Sequence, residues 1–279
     1  MNEIEALRKK TLNILLGGFL IIAITGAVIY KFGSNAYVFF GGAGVIVSVF
    51  AFMVKSVADY KNSFVYNVLK PLLEKESLKY YPDRGIRESE ALASGFFNFD
   101  YNIYKSFDYI EGEDFVLGYV EFIKKEKRVD QNGNSRYIEN VKFAGYLCKI
   151  KTGKKVKSEI FIKPNIIHLS DILPIVYDEY RVKMDSPEFE KIFDVYSYDQ
   201  IEARRVLNNA FMEKLIEIHK LTGVSEMRFI NDLVYLLSRG GSIRNSIPLF
   251  KPVDNKTVEN ILAPVRYFVS VKEILKDSY

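Results

Sequence analysis

The chain has 279 residues, 48% of them hydrophobic and 27% charged, with a formal net charge of +4. That composition excludes a disordered chain, and so mild a charge gives no ground for a nucleic-acid partner. The single cysteine, Cys148, excludes an internal disulfide and reads as a small buried hydrophobe.

Residues 12–30 (LNILLGGFLIIAITGAVIY) and 36–54 (AYVFFGGAGVIVSVFAFMV) carry no Asp, Glu, Lys, Arg or His. As helices rising ~1.5 Å per residue, each spans about 28 Å, close to the thickness of a bilayer's hydrocarbon core. Two such runs in succession argue against a cleaved signal peptide. Residues 31–35 are too few to do more than turn the chain, so the helices are expected antiparallel, with both ends of the hairpin on one side. Arg8, Lys9 and Lys10 precede the first run, Lys55 and Lys61 follow the second, and the loop holds only Lys31. The positive-inside rule then puts both termini in the cytoplasm. Gly17, Gly18, Gly26, Gly41, Gly42 and Gly44 let the helices approach closely, with Gly44 and Ser48 as a pair of small residues one turn apart. A span without ionisable groups suits an anchor better than a transport path.

The spacing of Phe64, Val65, Val68, Leu69, Leu72 and Leu73 predicts a linker helix over 58–81, which Pro71 kinks or whose first section it ends. The expected division is therefore an anchor at 1–57, a juxtamembrane helix at 58–84 and a soluble domain at 85–279. From Asp114 the period becomes two. A strand follows, Asn132-Gly133 signals a hairpin, and further strands are expected at 137–150 and 156–163 across a turn at 151–154, an antiparallel meander. Asp185-Ser186-Pro187-Glu188 starts a helix that Phe189, Ile192 and Phe193 continue. Another begins at Ser197 or Asp199. Asn208 or Asn209 caps a third, with Phe211, Leu215 and Ile218 on one face and Gly223 at its end. A hairpin joins 226–230 to 233–238 across Asn231-Asp232, and a last helical stretch, 258–276, is interrupted by Pro264. Strands first and helices later predict an α+β fold: a two-helix transmembrane hairpin followed by a meander and several helices.

Chemistry is sparse. His168 and His219 have no ligand partner at metal spacing, Gly240-Gly241 lacks a phosphate-loop pattern, and no serine sits in a nucleophile elbow. No metal, no cofactor and no catalytic residue is expected. Asp199, Glu202 and Arg204 form the densest polar set. Asp199 and Glu202 have the spacing of a cap and its box partner, which favours a fold-holding role over a partner or ligand site. Two basic segments stand out: Lys124, Lys125, Lys127 and Arg128, then Lys149, Lys151, Lys154, Lys155 and Lys157. The meander makes these segments neighbours, so their side chains form one surface that suits anionic lipid headgroups, weighed against a solvated loop face.

The block DSPEFEKIFDVYSYDQIEARRVLN, at 185–208, resembles the signature of a bacterial membrane-protein family known only as a domain of unknown function, number thirty-one thirty-seven. The residues that carry the likeness are Phe189, Glu190, Lys191, Phe193, Val195, Tyr196, Asp199, Glu202, Ala203 and Arg204. Segments 112–118, 141–145 and 211–215 also look like family elements, so the resemblance covers nearly the whole chain. It implies a bacterial membrane protein, no assigned activity, and a LemA-type membrane protein as partner. The expectation is thus a multi-pass protein of the bacterial inner membrane, a non-catalytic binding or scaffold protein in contact with the lipid bilayer and not with nucleic acid. The rival is a membrane-tethered enzyme or small-ligand receptor with its site near Asp199, Glu202 and Arg204.

Overall fold

The structure is a computed structural model and describes residues 2–33, 35–129, 134–165, 180–222 and 226–278. The expected turn at Asn132-Gly133, His168, Gly223 and the Ile218 side chain lie outside the described residues. The chain divides into two compact units: Met1–Glu76 with Ile243–Ile261, and Ser77–Ser242 with Leu262–Tyr279. That division differs from boundaries at 57 and 84, because residues 243–261 return to the helical unit.

In the first unit α1 (Asn2–Phe32) packs beside α2 (Ala36–Phe64). Asn35 caps α2, its side chain accepting from the Tyr37 N–H at 2.9 Å. Both helices are long and apolar enough to cross a membrane, and they carry Leu16, Phe19, Leu20, Phe40 and Phe50 exposed. Two of the six glycines account for the close approach. A Cβ on Gly18 would run into the Met53 thioether, and one on Gly42 would meet Ile29 at 2.7 Å; Gly17, Gly26, Gly41 and Gly44 face open space. Packing within the hairpin therefore explains Gly18 and Gly42 only.

Beyond the apolar runs the helices end in a polar clamp. Arg8, 5% exposed, chelates Glu5 through Nε (2.8 Å) and Nη2 (2.6 Å) and donates through Nη1 to the Leu249 carbonyl at 2.8 Å. Tyr60 donates to the Pro248 carbonyl at 2.8 Å. The helix is not ended at Pro71, one of the two outcomes expected there, but is distorted just before it. α2 passes into a π-helical turn, Val65–Leu69, and then α3, Lys70–Lys75, with Pro71 in its first turn. Lys70 N–H bonds the Val65 carbonyl five residues back, a widening that lets the chain continue past a residue with no N–H to give. The linker helix then stops short of 81, and Lys79–Tyr81 forms strand β1.

The second unit is a nine-stranded antiparallel sheet with helices, the α+β class. In chain order its elements are β1, α4 (Glu88–Ala93), β2 (Ile103–Gly112), β3 (Phe115–Val129), β4 (Ser135–Lys151), β5 (Ile160–Pro164), β6 (Arg181–Val182), α5 (Pro187–Glu190), β7 (Phe193–Ser197), α6 (Gln200–Val206), α7 (Asn209–Thr222), β8 (Glu226–Ile230), β9 (Leu233–Arg239) and α8 (Asn255–Ser278). The strand order is β1-β2-β3-β4-β9-β8-β5-β7-β6. The expected meander fails at its third strand. β4 takes β9 as its second neighbour, and β5 pairs with β8 and β7. Phe193 does not continue a helix but opens β7.

Register sorts the side chains into two faces. Leu117, Cys148, Leu236, Met227, Ile162, Val195 and Val182 form one row across seven strands, all buried. α7 and α8 cover this face: Phe211 meets Phe229 at 6.2 Å and Phe268 meets Tyr146 at 6.4 Å between ring centroids. On the opposite face the row reads Val116, Lys149, Tyr235, Arg228, Phe161, Tyr196 and Arg181. Its β2–β4 end is roofed by α4 and the segment after it. There Phe122 lies 4.2 Å from Phe97, 4.7 Å from Tyr101 and 5.0 Å from Tyr104.

Candidate functional site

The expected polar set does not converge on a common point. Asp199 is the N-cap of α6, its Oδ1 accepting from the Glu202 N–H at 2.9 Å. Glu202 is 3% exposed. Its carboxylate accepts Arg205 Nε at 2.9 Å and Nη2 at 2.8 Å, and also the Lys157 backbone N–H at 3.1 Å. The Arg205 hydrogen bonds hold its pKa down to about 2 against the opposing effect of burial, with the Lys157 N–H assisting. Arg204 instead donates from Nε and Nη2 to the Lys183 carbonyl, at 3.2 and 3.1 Å. Each residue thus fastens a different piece of backbone. Arg205, which the sequence reading passed over, is the real partner of Glu202. The i,i+3 spacing was the available signal.

The two basic segments are separated by the register. Lys149 lies opposite Val116, and Lys124 is eight residues farther along β3, roughly 26 Å at ~3.3 Å per residue. They do not form the single surface expected of them. Lys149 and Lys151 line an open cleft of about 530 Å³ with Glu111, Glu113 and Asp114, so their field is offset locally. Lys154, Lys155 and Lys157 lie in the connection between β4 and β5, tied down where the Lys157 N–H meets Glu202. Lys124 and Lys125 pair with Asp100 (2.6 Å) and Glu139 (3.0 Å).

The sheet itself makes a site that sequence reasoning missed. Where the roof of rings ends, the described residues leave the same face uncovered over β8, β5 and β7. Phe96, Phe161, Tyr180, Tyr196 and Tyr198 wall a groove of about 590 Å³. Arg228 lies across its floor, donating to the Gly95 carbonyl and to Glu159, each at 2.7 Å, with a buried Nε–H left unpartnered. Gly95 sits at φ +72°, and a side chain there would collide with the Arg228 guanidinium. Burial pushes the Glu226 carboxyl up, while Arg239 and Lys163 pull it the other way. Ring walls with two carboxyls, Glu226 and the Glu159 that fixes the guanidinium, suit holding a ligand. The lining comes from five separated stretches, so only the aromatic spacing Tyr196-x-Tyr198 hinted at it. Among the described residues no three His, Cys, Asp or Glu side chains are placed to hold a metal. His219 packs edge-on against Phe193 at 5.7 Å, and burial pushes the Cys148 thiol well up.

Residues 141–276 match the model of the family described as "Protein of unknown function (DUF3137)", the family that the block at 185–208 resembles. The matched residues run from β4 to α8 and leave 112–118 outside. No curated protein matches the chain. Among solved structures it is similar to that titled "crystal structure of the mycobacterial trehalose monomycolate transport factor A, TtfA". The identity is 7%, the match covers 76% of this chain and 95% of that one, and the TM-score is 0.37. At that TM-score the likeness carries no argument.

Proposed function

We propose that this chain, whose residues 141–276 are of the DUF3137 family, is a membrane-anchored binding or scaffold protein without catalytic activity. In this reading α1 and α2 cross a bacterial inner membrane and both termini lie in the cytoplasm. The observation that carries it is the apolar surface that both helices leave largely exposed across residues 12–30 and 36–54, each long enough to cross a bilayer. The clamp supports a hairpin. Arg8 at the start of α1 and Tyr60 late in α2 hold adjacent carbonyls, Leu249 and Pro248, so both must lie on the same side of the bilayer as that segment. For orientation, Arg8 is offset by Glu5, which leaves Lys9, Lys10, Lys55 and Lys61 against Lys31 of the loop. Alkaline phosphatase fused to the C-terminus should be inactive and a fluorescent protein fused there should glow; phosphatase activity would reverse the orientation. A LemA-type partner is tested by crosslinking in native membranes followed by pull-down.

A second reading, a tethered small-ligand receptor, is favoured by the aromatic groove and not by Asp199, Glu202 and Arg204, whose polar atoms hold backbone. A ligand screen by thermal shift on the detergent-solubilised chain, repeated with Phe161→Ala, separates it from the scaffold reading.

A further inference from the structure

β3 and β4 outrun the sheet. β2 pairs with β3 only as far as Ile123, and β9 pairs with β4 only from Gly145, so residues 124–129 and 135–140 have only each other as strand partners. The result is a two-stranded arm reaching roughly 20 Å beyond its neighbours, at ~3.3 Å per residue. Its base is fastened: the Asn102 side chain bonds both the N–H and the carbonyl of Lys125, at 2.8 Å each. Its outer half is bare. Val129 and Tyr137 stand 63% and 67% exposed on one face, with Lys127 between them by register. On the other face Arg128 lies directly opposite Arg136. Two guanidiniums facing each other across a ladder repel, so an anion held between them relieves the pair. Lys127, Arg128, Arg136 and Lys142 have no ion-pair partner among the described residues, whereas Lys124 and Lys125 nearer the base are neutralised.

We infer that the outer half of this arm docks on an anionic lipid surface, Val129 and Tyr137 entering the interfacial layer and Arg128 with Arg136 taking a phosphate headgroup. The inference rests on the membrane-anchor reading, which keeps a bilayer within reach. Exposed apolar groups beside unneutralised cations are the combination that such an interface rewards: the rings and branched chains leave water while the charges stay at headgroup level. An acidic protein would answer the charge alone, whereas bare Val129 and Tyr137 beside the cations suit a surface that offers headgroups and an apolar layer together.

The chain contains no tryptophan, so Tyr137→Trp places a single fluorescent reporter on the arm. The full-length variant is reconstituted into bilayers of phosphatidylcholine alone or with phosphatidylglycerol, and flotation confirms insertion. The expected result is a blue shift and loss of iodide quenching in the anionic bilayer only. Both should reverse as salt is raised from 0.1 to 1 M, where the screening length falls from ~10 to ~3 Å. Arg128→Glu with Arg136→Glu should abolish both, and a reporter at Ile201→Trp, 80% exposed on α6, should show neither. Identical quenching in the two bilayers overturns the inference while leaving the anchor intact. Protection in neutral bilayers that grows with protein-to-lipid ratio assigns the arm to a second copy and overturns it as well. A chain that floats with neither bilayer overturns the anchor reading and this inference together.

Discussion

Two places in the molecule use the same device with opposite polarity. At the base of the hairpin, Glu5 and Arg8 sit three apart on α1 and hold residues 249–253. On α6, Glu202 and Arg205 sit three apart and hold residue 157. In the first the cation is buried, with the Arg8 side chain 6% exposed and Glu5 25%, and the cation makes the distant bond, to a carbonyl. In the second the anion is buried, with the Glu202 side chain 3% exposed and Arg205 59%, and the anion accepts the distant N–H. The more buried member of each pair makes the shortest bond to remote backbone and the more exposed member neutralises it, with Glu5 adding a longer bond from the Val253 N–H at 3.4 Å. The cost of a substitution should therefore follow burial and not charge sign.

The largest effect is expected at Arg8. Arg8→Ala strips the Leu249 carbonyl of its donor and leaves Glu5 without its counter-charge, at about 3 kcal/mol. Hydrogen exchange on the full chain should show amides of 249–253 losing protection, with Arg8→Lys recovering part of it, since an ammonium cannot chelate Glu5 and reach Leu249 in one plane. Unchanged protection would mean that the segment is held without the clamp.

Glu202 sharpens the contrast because it titrates. Its pKa in the folded chain is about 2 against an ordinary 4.5. The folded state therefore binds fewer protons, and the stability this carboxylate contributes is complete above about pH 4.5 and lost as pH falls toward 2. Glu202→Gln should cost about 2 kcal/mol at pH 7. The gap in Tm between the two proteins should close on acidification from pH 4.5. Arg205→Ala, at an exposed position, should cost less than Glu202→Gln. A gap of constant size across that range would show that shape and not charge binds Lys157.

These examples mark what the sequence could disclose. The hairpin was legible because nineteen uncharged apolar residues, twice over, have few competing readings. The β8–β9 hairpin was legible because Asn231 supplies the left-handed residue its turn requires, at φ +55°. β7 was not, since Phe193 to Ser197 is only five residues long and Phe193 also continues the apolar helical spacing of Phe189 and Ile192 before it. α8 was expected to break at Pro264 and does not. Leu262, Val265, Phe268, Val271 and Leu275 are all buried, and at ~1.5–3 kcal/mol each they outweigh the ~3 kcal/mol that a proline costs a helix interior. Strand order was out of reach, because β4 meets β9 some eighty residues later and no local pattern encodes that pairing. The groove shares this fate. Its walls become neighbours only when the sheet closes.

The cap on α6 is expected to matter less than the clamp beside it. Asp199→Ala removes one bond, to the Glu202 N–H, from a partly exposed helix end, and should cost about 1 kcal/mol. A thermal melt of the full chain in detergent measures it. A loss as large as that of Glu202→Gln would show that Asp199 also positions the Glu202 carboxylate, joining two contacts that the geometry keeps separate.

The smallest effect is expected at Arg204. Its guanidinium is exposed and makes two bonds to a single carbonyl, Lys183, where water can replace it on both sides. Arg204→Ala should therefore lower stability by no more than about 0.5 kcal/mol, the usual range for surface changes. That small expectation makes the position informative. Neither buried pair can be altered without loosening the fold, so a lost phenotype there has two explanations. At Arg204 it has one. Membranes carrying Arg204→Ala should yield the same crosslinked partners as the parent chain if the side chain is only a strap over Lys183. A variant that melts like its parent yet loses a crosslinked partner would instead place the partner's contact on the exposed side of α6, beside Ile201, which is itself 80% exposed.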